Sequence, residues 1–399
     1  MKKIIYLDNN ATTKVDERVV EKMLPYFSEE YGNPSSTYTF GGNVQHKIIE
    51  ARETLKDFMG ANRVGEIIFT SCGTESANTA IKGVLTANKT KKHIITTKVE
   101  HACVLTLYKN LETQFGYKVD YLDVNSDGSL DLTPLENMVT DQTALVSCMA
   151  ANNETGVIFP YEKLAEIVKT KNPNTKVFVD AVQATGKIKL DVKNTQVDLM
   201  GISGHKLHAP KGIGALYIKS GTLLSPLLIG GHQEMGKRAG TENVPYIVGL
   251  AEAAKLANDN LGDEATRVKQ LRDTLEAGIL KSVYNARLNT NVSNRVPNTS
   301  NIGFEYIEGE LILLHLSDLG ICASSGSACT SGSLDASHVL KAMGVPFTCL
   351  HGSIRFSLSR FTTKEEIDYT LKVLPKVINK LNNISPFQKE LNDLKKLKA

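Results

Sequence analysis

At 399 residues the chain exceeds what one hydrophobic core usually serves, so two domains are the default and small-domain staples are unnecessary. Its 46 Lys+Arg against 43 Asp+Glu leave a formal charge of +3, which argues against the one-sided basic surface of a nucleic-acid binder and points to small molecules or proteins as partners. No apolar run reaches the roughly 20 residues that span a bilayer, the opening MKKIIYLDNNATT turns polar too early for a signal peptide, and scattered cysteines suit reduced thiols, so the expected location is cytoplasmic, with no membrane contact.

Short runs rich in Val, Ile and Phe alternate with segments of helical period, which is the pattern of an α/β fold with a mostly parallel sheet covered by helices. Strands are expected at 66–70, 93–97, 144–149, 176–179, 197–202 and 214–218, with helices between them such as 75–85 and 161–169. Residues 246–282 read as one long amphipathic helical stretch, kinked around Gly262. A boundary near 258 follows, giving a large domain over 15–258 and a smaller α+β domain made of 1–14 and 259–399, which contains SNIGFEY and IRFSL. The tail QKELNDLKKLKA is expected to be a solvated helical face.

Candidate chemistry appears in the same order along the chain. In EIIFTSCGTESAN a strand leads through a tight turn at Gly73 into a helix opening at Thr74, where free N–H groups and the helix dipole suit an anion. No GxxxxGK[ST] or GxGxxG accompanies it, which argues against a nucleotide there. His101, in KVEHACVL, is placed to stack on a ring or carry protons. KVFVDAVQATG puts Asp180 at a strand's carboxyl end, where a protonated pyridine nitrogen is a fitting partner, and Gln183 just beyond. Ser203, His205 and Lys206 follow at the end of another strand, where a desolvated lysine forms a Schiff base readily.

Each of these residues alone has a plainer use as a cap, a turn or a solvated side chain. Lysine, acid and phosphate cup together describe pyridoxal 5'-phosphate (PLP). No CxxC pair occurs, and His205-x-x-His208 and Cys349-x-His351 are poor ligand spacings, so no metal is expected. Cys72, Cys103, Cys148 and Cys322 lie in ordered contexts and are expected to pack. Cys329 differs: ICASSGSACTSGSLDAS is rich enough in Ser and Gly to predict a mobile loop, suited to carrying a thiol to a substrate and back to a partner.

LDNNATT (7–13), YGNPSS (31–36), GTES (73–76), NNETG (152–156), VDAVQATG (179–186), SGHK (203–206), GTEN (240–243) and SSGSACTSGS (324–333) together resemble the class V, aminotransferase-like cysteine desulfurases over nearly the whole chain. The last string is similar to the long-loop group, in its nitrogen-fixation-type and housekeeping iron–sulfur branch. The resemblance implies a PLP enzyme of fold type I, with Lys206 bonded to the cofactor and Asp180 facing its ring nitrogen. It implies Gln183 and Asn153 near the ring hydroxyl, His101 stacked above, and Gly73, Thr74, Ser203 and His205 around the phosphate. Thr241 would reach the cofactor of a neighbouring subunit, hence a homodimer. Arg355 would grip the substrate carboxylate, helped by Asn153 and Asn33. L-cysteine would become L-alanine, leaving a persulfide on Cys329 for an acceptor such as an iron–sulfur scaffold or a tRNA-thiolation carrier. Lys206 and His101 would carry protons.

Two departures stand out. GHQEMGKRAGTEN replaces the usual GQERG-type run, leaving Arg238 as its one firm basic match, and Cys349 has no role beyond packing. Another class V PLP reaction, a transamination or a lyase step, would need Lys206 and Asp180 but not Cys329. An inactive scaffold would need none of the three.

Overall fold

The computed structural model describes residues 4–290, 292–325 and 336–397. Its strands are β1 (Ile5–Tyr6), β2 (Ile67–Thr70), β3 (His93–Thr97), β4 (Lys118–Leu122), β5 (Thr143–Met149), β6 (Lys176–Asp180), β7 (Leu199–Ser203), β8 (Gly214–Ile218), β9 (Ala286–Leu288), β10 (Thr299–Phe304), β11 (Ile321–Cys322) and β12 (Ser353–Ser357). Seven of them form one sheet in the order β2-β8-β7-β6-β5-β3-β4. The strands β3 to β7 pair in parallel. β8 runs antiparallel to both its neighbours, because the connection from Ser203 to Gly214 carries no crossover helix and must return directly.

Every residue of β2, β3, β5, β7 and β8 is buried, as expected of strands covered on both faces. Alternate side chains serve the two faces: Ile68, Ile94 and Phe178 pack with Ala80, Ile81, Leu107 and Tyr108 of the helices Gly73–Ala87 and Ala102–Phe115. Ile67, Phe69 and Val177 pack on the other side with Leu55, Leu164 and Leu250 of the helices Thr39–Met59, Tyr161–Lys171 and Val244–Asp259. β10 pairs antiparallel with β9 and β12, and Phe304 and Phe356 join Ile5, Leu7, Leu275 and Ile378 in a separate apolar cluster.

The 246–282 stretch is not one kinked helix. It divides into Val244–Asp259, a short turn Leu261–Asp263, a π-helical turn Glu264–Val268 and the helix Lys269–Ser282. Asn260 marks the break, its side-chain amide donating to the Leu256 carbonyl at 2.6 Å, and the π turn buries Glu264. The strand expected at 197–202 is shifted to Leu199–Ser203, so Lys206 sits on the 3₁₀ turn Gly204–Lys206 immediately after it. Among the described residues, no helix is long and apolar enough to cross a membrane.

Candidate active site

The parallel strands deliver their carboxyl ends to one edge of the sheet, and a cavity of about 310 Å³ opens there. Lys206 enters it from the turn after β7, its Nζ donating to the Asn10 carbonyl at 2.5 Å and the Ala11 carbonyl at 2.7 Å. Asp180, the last residue of β6, is buried in the same wall, with Oδ1 accepting from the Val182 N–H at 2.9 Å. Burial raises its pKa, while His101 and Lys206 pull it down, so the carboxylate gains from a cation placed beside it.

The cavity's other end is the start of the helix Gly73–Ala87. Its N-cap residue, Cys72, makes no side-chain cap, leaving first-turn N–H groups beside Thr74 to serve an anion. A Cβ on Gly73 would stand 2.8 Å from Val182 Cγ2, so the close approach of this turn to the segment after β6 requires glycine. Glu75 turns away from the cavity: it accepts from the Ser71 N–H at 2.7 Å and is gripped by Arg238. Ser203 and His205 complete this end. His205 is pushed down to about 4, first by burial and then by Lys206, and therefore stays neutral at pH 7.

His101 caps the helix Ala102–Phe115 by accepting the Cys103 N–H on Nδ1 at 3.2 Å, which puts the proton of a neutral ring on Nε2. Beside it Glu100 is fully buried, and burial pushes its carboxyl up to about 7. Arg355 of β12 lines the same cavity, donates to the Asn153 carbonyl at 3.1 Å and pairs with Asp8 at 2.7 Å. Its buried Nε has no acceptor among the described residues, which marks a donor left for a bound anion.

Lys206, His101, Gly73, Thr74, Asn153, Asp180, Gln183, Ser203, His205 and Arg355 thus line one cavity. Asn33 and Thr241 do not: both are exposed, Asn33 with its side chain turned to the Ser35 N–H at 2.9 Å. Cys329 lies outside the described residues. Its flanks do not. Ser324 pairs with Arg355 through backbone hydrogen bonds, while Ser337 donates to Glu154 at 2.5 Å and His338 meets the Glu100 carbonyl at 3.0 Å. Reading the sequence alone missed Asn10 and Asp8, which LDNNATT carries across from the far end of the chain. It also assigned Cys72 and Cys103 to packing, whereas both line the cavity.

The aminotransferase class-V profile matches residues 5–370. The chain belongs to this family. It is 56% identical over 390 residues to cysteine desulfurase 2 of Trichormus variabilis, covering 98% of this chain and 97% of that protein. It is 51% identical over 383 residues to the cysteine desulfurase NifS of Azotobacter vinelandii, covering 96% and 94%. A solved NifS-like protein superposes with a TM-score of 0.89 at 42% identity, covering 95% of this chain and all of that one.

Class-V aminotransferases and their desulfurase members use PLP. The donor set fits that group: a buried acid for a protonated ring nitrogen, a lysine within the same walls, and an uncapped helix start with a neutral histidine for a phosphate. A larger hollow of about 580 Å³ lies at the opposite edge of the sheet, but it is a surface feature whose Lys169 and Lys176 are committed to Asp198. The smaller cavity gathers the candidate residues. Arg355→Lys is expected to raise KM for L-cysteine by about 10- to 100-fold in steady-state kinetics, because an ammonium replaces a planar donor fork whose bonds to a carboxylate contribute on the order of 1.5–3 kcal/mol.

Proposed function

We propose that this enzyme converts L-cysteine to L-alanine and hands the sulfur, as a persulfide on Cys329, to an acceptor protein of iron–sulfur cluster assembly or tRNA thiolation. The observation that carries this reading is the convergence of Lys206, Asp180 and Arg355 in a cavity whose neighbours Arg355, Glu154 and Glu100 anchor both flanks of the Cys329 segment. From Ser324 to Cys329 the chain spans at most about 17 Å when extended, a length that allows the thiol to meet a substrate in the cavity.

Lys206, Asp180, Gln183 and the Gly73–Thr74 turn would hold PLP, which when bound would supply an electron sink for the substrate Cα. Arg355 takes the substrate carboxylate, with Asn153 beside it, and so fixes which face and which atoms meet Lys206. Lys206 removes the Cα proton and returns one, and His101 Nε2 is the second proton carrier of the cavity. The Cys329 thiolate attacks the substrate sulfur. An S–S bond forms as the Cβ–S bond breaks, its electron pair stays on Cβ, and a proton there completes the methyl group of alanine.

Thr241, exposed on the segment held by Arg238 and Glu75, suits contact with a second copy, and the exposed Phe27, Tyr31 and Phe40 suit a homodimer interface. The division into 15–258 and a smaller unit of 1–14 with 259–399 is supported by Ile5 and Leu7, which pack with residues from Val268 onward. A cytoplasmic location fits the five unbridged cysteines among the described residues. The test is stoichiometric. PLP-loaded enzyme given L-cysteine and a thiol reductant should release alanine and sulfide in equal amounts; pyruvate with ammonia, or keto-acid-dependent turnover without sulfide, would overturn the reading.

A further inference from the structure

Behind the cavity lies a second amine that the mechanism above does not use. Lys187 is buried, and its Nζ donates to Gln183 Oε1 at 2.8 Å and Asn10 Oδ1 at 3.2 Å. The same two residues meet at an acceptor of Lys206. The Asn10 carbonyl takes hydrogen bonds from both Lys206 Nζ and Gln183 Nε2, the latter at 3.0 Å. The roles at Gln183 cannot be exchanged, because the Asn10 carbonyl only accepts and the Lys187 amine donates. The amide is therefore held at both ends, and the second N–H of Nε2 meets no acceptor among the described residues, on a side chain that lines the cavity.

A small cavity of about 20 Å³ behind Lys206 is bounded by Lys187, Glu264, His208 and Arg360, with Lys206 itself in the wall. Glu264 comes from the π turn that interrupts the long helical stretch, and its Oε2 is buried with no partner among the described residues. We propose that Lys187 is a positioning residue of the cofactor site: it anchors Gln183 and Asn10 from behind, and its amine couples electrostatically to that of Lys206. This rests on the placement of PLP given above.

The charged groups around Lys187 define its response to pH. Lys206 reaches it from the turn after β7, Arg355 from β12 and Glu264 from the π turn. Arg360 faces the same small cavity, and His208, pushed down to about 3 chiefly by burial, stays neutral. Burial first, and Lys206 second, lower Lys187 to about 7, while burial raises Glu264 to about 7. The sign is set by this: as pH falls through neutrality Lys187 gains its proton, and a positive charge behind Lys206 then opposes a second one on Lys206.

The test uses PLP-loaded enzyme and reads the visible absorbance of bound PLP against pH, together with the PLP dissociation constant by fluorescence. Lys187→Met should move the absorbance titration to higher pH by about half a unit or more and weaken PLP binding by about tenfold. Lys187→Gln keeps a donor without the charge, and should recover much of the affinity but not the titration midpoint; if the Met variant does not fold, this midpoint decides. Adding Gln183→Ala to Lys187→Met should cost less than the two losses combined. Unchanged midpoints in the folded variants, or fully additive losses of affinity, would overturn the proposal. Borohydride reduction followed by peptide mapping separates the two readings: PLP fixed on Lys206 with unmoved midpoints defeats only the role of Lys187, while PLP fixed elsewhere defeats the site itself.

Discussion

Lys206→Ala should lower alanine formation from L-cysteine by about 10⁴-fold or more while leaving a folded protein. Both parts follow from where the amine sits. It donates to the carbonyls of Asn10 and Ala11, and the Asn10 carbonyl keeps its bond from Gln183 when the lysine is removed. The scaffold around it is built by β6, β7 and the apolar clusters on both sheet faces, none of which depends on Nζ. The chemistry has no such reserve. In the proposed mechanism Lys206 is the amine that both holds the cofactor and moves the Cα proton, and among the described residues no other lysine lines the cavity. Circular dichroism of the variant should match the parent, and borohydride should no longer fix PLP to it. Turnover within tenfold of the parent would remove Lys206 from the mechanism.

What the sequence disclosed, and what it withheld, divides along a physical line. Strands buried on both faces announce themselves: the run HIITT is a strand over the expected residues, and Asp180 stands at the end of KVFVD as its apolar neighbours imply. The edge strand β4 was not read because its side chains mix exposed, intermediate and buried positions. The direction of β8 lay in a connection length rather than in any composition. Candidate site residues within one strand-turn-helix unit were legible, since Ser203 ends a strand and Gly73, Thr74 and Lys206 stand within four residues of one. Asn10 was not, because its importance comes from contacts with Gln183, Lys187, Asn298 and Thr299, all far away in the chain. The π turn escaped for the same reason. Nothing in the helical period near Gly262 shows that Glu264 will be turned inward toward Lys187, Arg360 and the rear of the site.

Cys329→Ala should abolish persulfide formation and reduce sulfide release by about a thousandfold or more, with PLP binding unchanged. The cavity makes this a demanding claim, because it already contains two other thiols. Cys103 lines the wall with His101, and Cys72 stands at the helix start before Gly73 and Thr74. Burial raises the Cys103 pKa, which keeps it a thiol at neutral pH and a poor nucleophile, and its backbone N–H is tied to His101. Cys72 sits on the last step before the helix Gly73–Ala87, an element packed into the sheet, so it cannot travel to deliver sulfur to another protein. Cys329 lies in sequence between Ser324 and Ser337, whose partners are Arg355 of the cavity wall and Glu154. The decisive set is therefore Cys329→Ala, Cys103→Ala and Cys72→Ala, each PLP-loaded, given L-cysteine and analysed by mass spectrometry for an added sulfur. Loss confined to the first variant identifies the thiol that leaves with the sulfur. Normal sulfide release without Cys329 would return the chain to the other reactions of its family, and loss in the Cys103 variant alone would move the nucleophile to the cavity wall.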